Sequence, residues 1–489
     1  MAAIEWILLA AVMFASWWLL GPTHKGAPRA PFAYVLYLLA TDHSNLWMRI
    51  YRKYGPVAVV RVPMFRDVTL VMGSESSPAY HSSKTLDVDK GAKIILGDFM
   101  PSPKVEAGVA IIPRMTAKMM SSPTFMQDAD KFSRDLLRES PWDSEQVDDL
   151  FHEIWHLVFR LIMEIFWGIE GEDRDWFINN FRDVDPELLM QKPRAFYDRR
   201  GVVAETQRNF ERWAAKLEPI LAKQTSDRDA GRPVKGHMVW VAEEFCRTED
   251  GIIDTYSVMY QVWGLIMVSL INTYANLAWI LTRVAADPSL AENTLQEQRT
   301  IYGAEERRDS FETFVLSSKD LNEMRYVERT ITENLRIAGE TFASFRLAET
   351  DIAFSGHNIT TGSFLVFPHS TLNKNPDLHP DPLKYNPDRS VPFSGADGGK
   401  NQTTPKMVKF GEGGLHSNFN MPVWGVGRHP CTGAKFAITI IKIISSIIIR
   451  KYDLQLVEGT WPKMPVFSLG VAKPTNKVGI KLKRRSNDA

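Results

Sequence analysis

The sequence predicts a mainly α fold with small β-sheets behind an N-terminal membrane anchor helix, and three observations point that way. Apolar residues recur at the 3.6-residue period of half-buried helices in several long segments. Shorter alternating segments between them have strand length. An apolar stretch opens the chain, and no Gly/Ser linker, repeat or low-complexity block divides the chain after Pro31. Length alone would suggest about three domains; the unbroken composition favours one large one.

In chain order, the run from Trp6 to Leu20 is almost wholly apolar, and Ala2 to Gly21 approaches the ~20 residues a span needs if Glu5 snorkels. Residues 1–21 are therefore read as a transmembrane anchor. Lys25 and Arg29 follow it, which favours a cytoplasmic catalytic domain. No basic segment precedes the stretch and no clear small-residue cleavage site follows it, so a cleaved signal peptide fits less well. Prolines at 28 and 31 make residues 22–31 a stiff hinge, with the catalytic domain expected over 32–489. Val57–Val62 and Asp67–Met72 read as a hairpin; Leu150–Gly168, Ser257–Ala286, Leu321–Ile337 and Ala434–Ile449 read as helices. The second of these is the longest and ends at Asp287-Pro288, where proline stops it.

Composition narrows the function classes. The 58 basic and 58 acidic residues balance, so nothing points to nucleic acid. Two cysteines build no disulfide framework and suit a reducing compartment.

One of those cysteines carries the chemistry. Cys431 lies in Trp424-Gly425-Val426-Gly427-Arg428-His429-Pro430-Cys431-Thr432-Gly433, just before the expected helix at Ala434. A thiol acts as a ligand in its thiolate form, favoured by nearby cations and helix N-termini. The glycines let the backbone turn tightly and approach a flat ligand.

This segment resembles the haem-binding loop of the cytochrome P450 superfamily, aromatic-x-x-Gly-x-(Arg/His)-x-Cys-x-Gly, with Trp424, Gly427, His429, Cys431 and Gly433 in its slots. Within the microsomal type it is similar to the sterol 14-demethylase, cholesterol 7-hydroxylase and prostacyclin synthase group and to fungal secondary-metabolism members. The resemblance implies the P450 fold, haem b with its iron on Cys431, and Gly427, Gly433, Arg346 and His429 as cofactor-binding residues, the last two at the propionates. Glu333-Asn334-Leu335-Arg336 matches the family's Glu-x-x-Arg, which Arg389 joins in relatives. Glu205/Arg208, Glu244/Arg247 and Glu305/Arg308 share that spacing, so the order Glu333, Arg346, Arg389, Cys431 singles out the first.

The main departure lies in the long helix, where the family's oxygen-binding (Ala/Gly)-Gly-x-(Asp/Glu)-Thr falls on Val268-Ser269-Leu270-Ile271-Asn272. Ile271 replaces the acid and Asn272 the threonine, leaving Asn272 as the catalytic candidate that could position a water. Ser269, Thr341 to Phe345 and Phe467 to Val471, including Phe345 and Leu469, match substrate-contact regions. The last lies in Phe467–Pro474, which resembles the family's final hairpin. The usual Trp-x-x-x-Arg haem helix is not found between Gly73 and Gln146.

The implied function is a monooxygenase of the endoplasmic reticulum membrane, with NADPH-derived electrons from NADPH-cytochrome P450 reductase and cytochrome b5 as a further partner. Its substrate would be lipophilic: a steroid, terpenoid or meroterpenoid of secondary metabolism. Arg114, Lys118, Lys131, Arg134 and Lys435 are candidates for the docking face. Ile271 and Asn272 motivate an alternative, a haem-thiolate isomerase or dehydratase needing no external electrons. A third reading is a zinc hydrolase on His152-Glu153-Ile154-Trp155-His156, a literal His-Glu-x-x-His. Against it, His152, Glu153, His156, Arg160 and Glu164 fall opposite the apolar stripe, as a solvated helix face would.

Overall fold

The computed structural model describes residues 27–62, 66–97, 108–122, 125–138, 141–142, 144–191, 198–302, 316–339, 344–395, 406–410, 418–465, 468 and 470–485. The expected anchor at 1–21 lies outside them.

The helices are organised around one central helix, Thr255–Ala286, whose cap Asp254 accepts the Tyr256 N–H. It is apolar nearly all round and packs against Leu150–Trp167, Arg199–Asp229, Arg325–Ala338 and Ala434–Lys451. A helix apolar on every side belongs inside a core. It is also the one described helix long and apolar enough to cross a membrane, and 78% of its apolar window is buried in the protein. The Leu150–Trp167 helix ends where the sequence reading put it, with Gly168 left-handed at φ 61°.

The expected helix over Leu321–Ile337 is two: Ser318–Glu323 and Arg325–Ala338, broken at Met324. The first starts on a Ser317/Asp320 capping box. The N–H groups of Tyr326 and Val327, opening the second, donate to the Glu297 carboxylate from another helix. That distant cap makes the break tolerable and leaves no local sequence signal.

Six strands form the main sheet: β1 (Arg29–Ala30), β2 (Val57–Arg61), β3 (Asp67–Val71), β4 (Leu86–Asp87), β5 (Phe345–Ala348) and β6 (Phe364–Val366). Their order is β1-β2-β3-β6-β5-β4. The β2–β3 hairpin is antiparallel with Val59 opposite Thr69, and β6 runs parallel to β3. Two residues of the expected hinge are thus not spacer: Arg29–Ala30 pairs with β2, so the folded unit begins before residue 32. The expected C-terminal hairpin is also absent as such, because the described residues between 461 and 479 contain no strand.

Candidate functional site

Trp424 to Gly433 forms a turn feeding the Ala434–Lys451 helix, closed by the Cys431 N–H on the Trp424 carbonyl at 2.6 Å. Gly425 and Gly427 both sit at φ +68°, where L side chains are strained. A Cβ at Gly427 would come 2.4 Å from the carbonyl oxygen of His81, which also accepts the Arg428 N–H at 3.1 Å. Gly427 therefore seats the turn on the Ser77–Ser82 helix, while Gly425 lets the turn close on itself, its Cβ position lying 2.5 Å from the His429 carbonyl oxygen. Gly433 differs from the expected turning role: its φ is −90° and a Cβ there would meet nothing within 4 Å. It leaves room instead of relieving strain.

Cys431 is exposed by surface area. Protein packed around its sulfur nevertheless raises the thiol pKa, and backbone N–H groups of Gly433 and Ala434 oppose the rise by hydrogen bonding to it. The surface value reports the open side of the residue and the shift its packed side. Two amide donors at a helix start are what a thiolate needs.

Arg346, on β5, is only 4% exposed and donates to its neighbour's carbonyl, that of Phe345, at 2.7 Å. No carboxylate pairs with it among the described residues. Burial lowers its pKa, and the same guanidinium helps lower His429, though burial is the larger cause there. The structure thus places Arg346 and His429 close enough to repel.

Sequence reasoning missed the group that stands behind them. His81 bonds through Nδ1 to the Ser77 carbonyl at 2.9 Å, assigning that nitrogen the proton, and its Nε2 lies 3.4 Å from Nε2 of His369. Ser344 Oγ is 2.8 Å from the same His369 nitrogen, and the Tyr80 hydroxyl donates to the Ser344 carbonyl at 2.6 Å. Burial pushes His369 down to about 4. Neither histidine sits in a motif, so only the fold reveals the pair.

Glu333, Arg336 and Arg389 meet in one buried cluster. Arg336 reaches both Glu333 oxygens at 2.7 and 2.8 Å, and Arg389 Nε reaches Oε1 at 3.1 Å. The guanidiniums direct their remaining donors to the carbonyls of Asn373, Pro382, Pro380, Asp381 and Lys384. Asn386 N–H completes the carboxylate at 2.9 Å. The cluster staples Arg325–Ala338 to the segment leading to the Cys431 turn.

On the central helix, only Val268 and Asn272 are exposed between Val258 and Val284, and they stand one turn apart. Asn272 Oδ1 accepts the Val471 N–H at 2.9 Å. Three expected pocket positions fare differently. Ser269 is buried and its hydroxyl donates to Leu265 of its own helix, so it lies off the open face. Phe345 is buried, stacked on Phe364 at 6.0 Å within the core beneath the sheet. Leu469 lies outside the described residues, as do Thr341 to Ala343 and Phe467.

The zinc reading finds no support. His152 and His156 lie on one helix face with ring centroids 4.4 Å apart, lining a cavity of about 540 Å³ with Arg182 and Lys473. Among the described residues no three His, Cys, Asp or Glu side chains are placed to hold a metal. Burial, then His152 and Arg160, take His156 down to about 4. Of the docking candidates, Arg134 is buried in a 2.7 Å pair with Asp130 and is removed from that face; Lys118 lies over Trp240 at 4.3 Å. Arg114, Lys131 and Lys435 are exposed. A cleft of about 1300 Å³ runs between the end of the central helix and the C-terminal strands and holds none of the site residues.

Comparison with known proteins adds the lineage. The family model described as "Cytochrome P450" matches residues 17–482. A lanosterol 14-alpha demethylase from Bos taurus is 28% identical over 46% of this chain and 39% of its own length. A flavonoid 3'-monooxygenase from Oryza sativa subsp. japonica is 23% identical over 53% of this chain and 47% of its own. The chain thus matches under half the length of these relatives. The solved retinoic acid-bound cyanobacterial CYP120A1 superposes with a TM-score of 0.68 at 16% identity, covering 94% of this chain and 99% of that one, which shows a shared fold.

Proposed function

Because this chain belongs to the cytochrome P450 family, we propose that it is a membrane-anchored haem-thiolate monooxygenase that oxidises a lipophilic substrate with dioxygen and NADPH-derived electrons. One observation carries the reading: Cys431 lies at the start of the Ala434–Lys451 helix, in a turn closed by its own N–H on the Trp424 carbonyl at 2.6 Å.

The family implies haem iron, and the residues present fit it. Gly433 has open space where a Cβ would stand. Arg346 is a buried cation without a carboxylate among the described residues, so the carboxylate of a bound haem would satisfy it. Cys431 would hold the iron, Arg346 and His429 the propionates, and Glu333, Arg336 and Arg389 the segment beneath. A thiolate-bound haem supplies dioxygen activation. The protein's part is to keep the Cys431 sulfur in its hydrogen-bonded turn and to present the face of the central helix carrying Val268 and Asn272 to substrate.

The likeness to a sterol demethylase and a flavonoid monooxygenase supports an oxygenase of flat, lipophilic molecules, and we assign a steroid, terpenoid or meroterpenoid of secondary metabolism. NADPH-cytochrome P450 reductase, with cytochrome b5 as second donor, would dock on exposed cations such as Lys131 and Lys435. Residues 1–21 would anchor the chain in the endoplasmic reticulum. The second reading, an isomerase or dehydratase without external electrons, is favoured by one observation: Ile271 is buried and apolar where the family's acid stands, and Asn272 Oδ1 is already engaged.

A carbon-monoxide difference spectrum decides between them. Membranes holding the chain and its reductase should give the red-shifted thiolate band under NADPH, lost in Cys431→Ser. A band with dithionite alone moves the assignment to the isomerase; no band in folded protein removes haem-thiolate chemistry.

A further inference from the structure

We propose that Asn272 is a latch that pins the C-terminal turn at Gly470–Val471 onto the central helix and so fixes the shape of the substrate side of the site. It is a positioning residue, and the idea rests on the monooxygenase reading above for what the latch is for.

The contact is specific on both sides. Asn272 Oδ1 accepts the Val471 backbone N–H at 2.9 Å. A Cβ on Gly470 would lie 2.2 Å from that oxygen and 3.5 Å from Cγ2 of Ile271. Residue 470 must therefore lack a side chain for the carboxamide to reach its partner. A threonine hydroxyl is one bond shorter than the carboxamide oxygen, so the amide supplies reach as well as an acceptor. Ile271 and Asn272, the two departures from the family pattern, answer to the same turn.

The turn has two other fixed points, both on its far side. Trp279 Nε1–H donates to the Ala472 carbonyl at 2.7 Å, and the Ala472 N–H donates to the Ala338 carbonyl at 2.9 Å. On the leading side the Ser468 hydroxyl bridges the Val471 carbonyl and the Gly470 N–H within the turn, and among the described residues Asn272 is the side chain that ties this side to the central helix. It is also one of two exposed residues in the middle of the central helix. With Oδ1 engaged, the oxygen that could accept from a relay water is taken; Nδ2 has no partner among the described residues and remains a donor for substrate. Ligands large enough to press on the turn will feel the latch, and small ligands will not.

The test uses the full-length, haem-loaded protein in membranes and two nitrogen ligands, imidazole and clotrimazole, read by the difference spectrum of the nitrogen-bound form. Asn272→Ala should leave the imidazole Kd within about twofold and shift the clotrimazole Kd about tenfold, the worth of one hydrogen bond. Asn272→Asp, which keeps an acceptor, should recover most of that shift. Gly470→Ala should mimic Asn272→Ala, and in an Asn272→Ala background it should add under about twofold, the signature of a coupled pair. The latch is overturned if Asn272→Asp behaves as Asn272→Ala, if both ligands shift together, or if Gly470→Ala costs the same in both backgrounds. If wild type binds no imidazole, the haem reading has failed, and amide hydrogen exchange decides the latch separately. Asn272→Ala should speed exchange at residues 470–472 about tenfold, as loss of one hydrogen bond predicts, and unchanged exchange rejects it.

Discussion

The turn around Cys431 and the face of the central helix at Asn272 are held in opposite ways. The first is fixed by many contacts: the Cys431 N–H on the Trp424 carbonyl, two glycines against neighbouring carbonyls, and a buried Glu333–Arg336–Arg389 cluster behind. The second rests on one carboxamide on one backbone N–H, with Trp279 and Ala338 holding only the far side of the same turn. A region held by many contacts is hard to move by one substitution; a region held by few responds to a single side chain.

The strongest way to break the contrast is at Glu333. Its carboxylate is fully buried between two guanidiniums. Glu333→Gln strands both cations, and removing one partner of a buried pair costs about 3–5 kcal/mol. Haem-retaining folded protein should largely disappear, whereas Asn272→Ala should leave it intact. Recovery of Glu333→Gln at wild-type yield and melting temperature would refute the staple.

Next in size is a pH effect at the His81–His369 pair. Burial depresses both imidazoles, His369 to about 4. The unfolded chain takes protons near 6.5 and the folded one does not, so stability is full above 6.5 and falls as pH drops toward 4. Arg346 and the partner imidazole face His369, while Ser344 offers only a neutral hydroxyl, so nothing there welcomes a second charge. At about 1.4 kcal/mol per unit, the loss approaches roughly 3 kcal/mol. Chemical denaturation from pH 7 to 4.5 should show it, and His369→Gln should flatten the slope; an equal slope in the variant would exclude the pair as its source.

How much of this was legible depends on the physical demands of each region. The Glu333 cluster was readable because a buried carboxylate demands fixed partners in fixed order, and the Cys431 turn was readable from its glycine spacing. The long helices and the β2–β3 hairpin were readable from their periods. The break at Met324 was not, since Glu297 caps it from a different helix. For Ser269 and Phe345, a match to a contact region names the segment and not the side: one residue off, Val268 is exposed and Ser269 is engaged with its own backbone. The approach of Gly427 to the His81 carbonyl was hidden for a related reason. Their contact is a carbonyl against a hydrogen, and backbone leaves no trace in composition.

The two glycines sharpen the comparison within the turn itself. Gly427→Ala forces a Cβ against the His81 carbonyl at positive φ, costing on the order of 1–3 kcal/mol in the protein alone. Gly433→Ala meets no protein atom, so thermal unfolding without haem should be unchanged while haem affinity falls. If Gly433→Ala lowers the haem-free melting temperature as much as Gly427→Ala does, the glycine serves the backbone and not the cofactor.

The smallest effect belongs to Trp279, whose Nε1–H holds the Ala472 carbonyl at the far side of the C-terminal turn. Trp279→Phe keeps an aromatic ring against Phe151 and removes that donor, at about 1 kcal/mol for one hydrogen bond. The loss should appear as faster amide exchange in residues 470–473, with global melting nearly unmoved, because the Ala472 N–H remains on Ala338. Combined with Asn272→Ala, the exchange rates should multiply if the two anchors hold the turn independently. A combined effect no larger than either alone would mean that the turn opens as one unit, and that Asn272 shapes the pocket only through the whole segment.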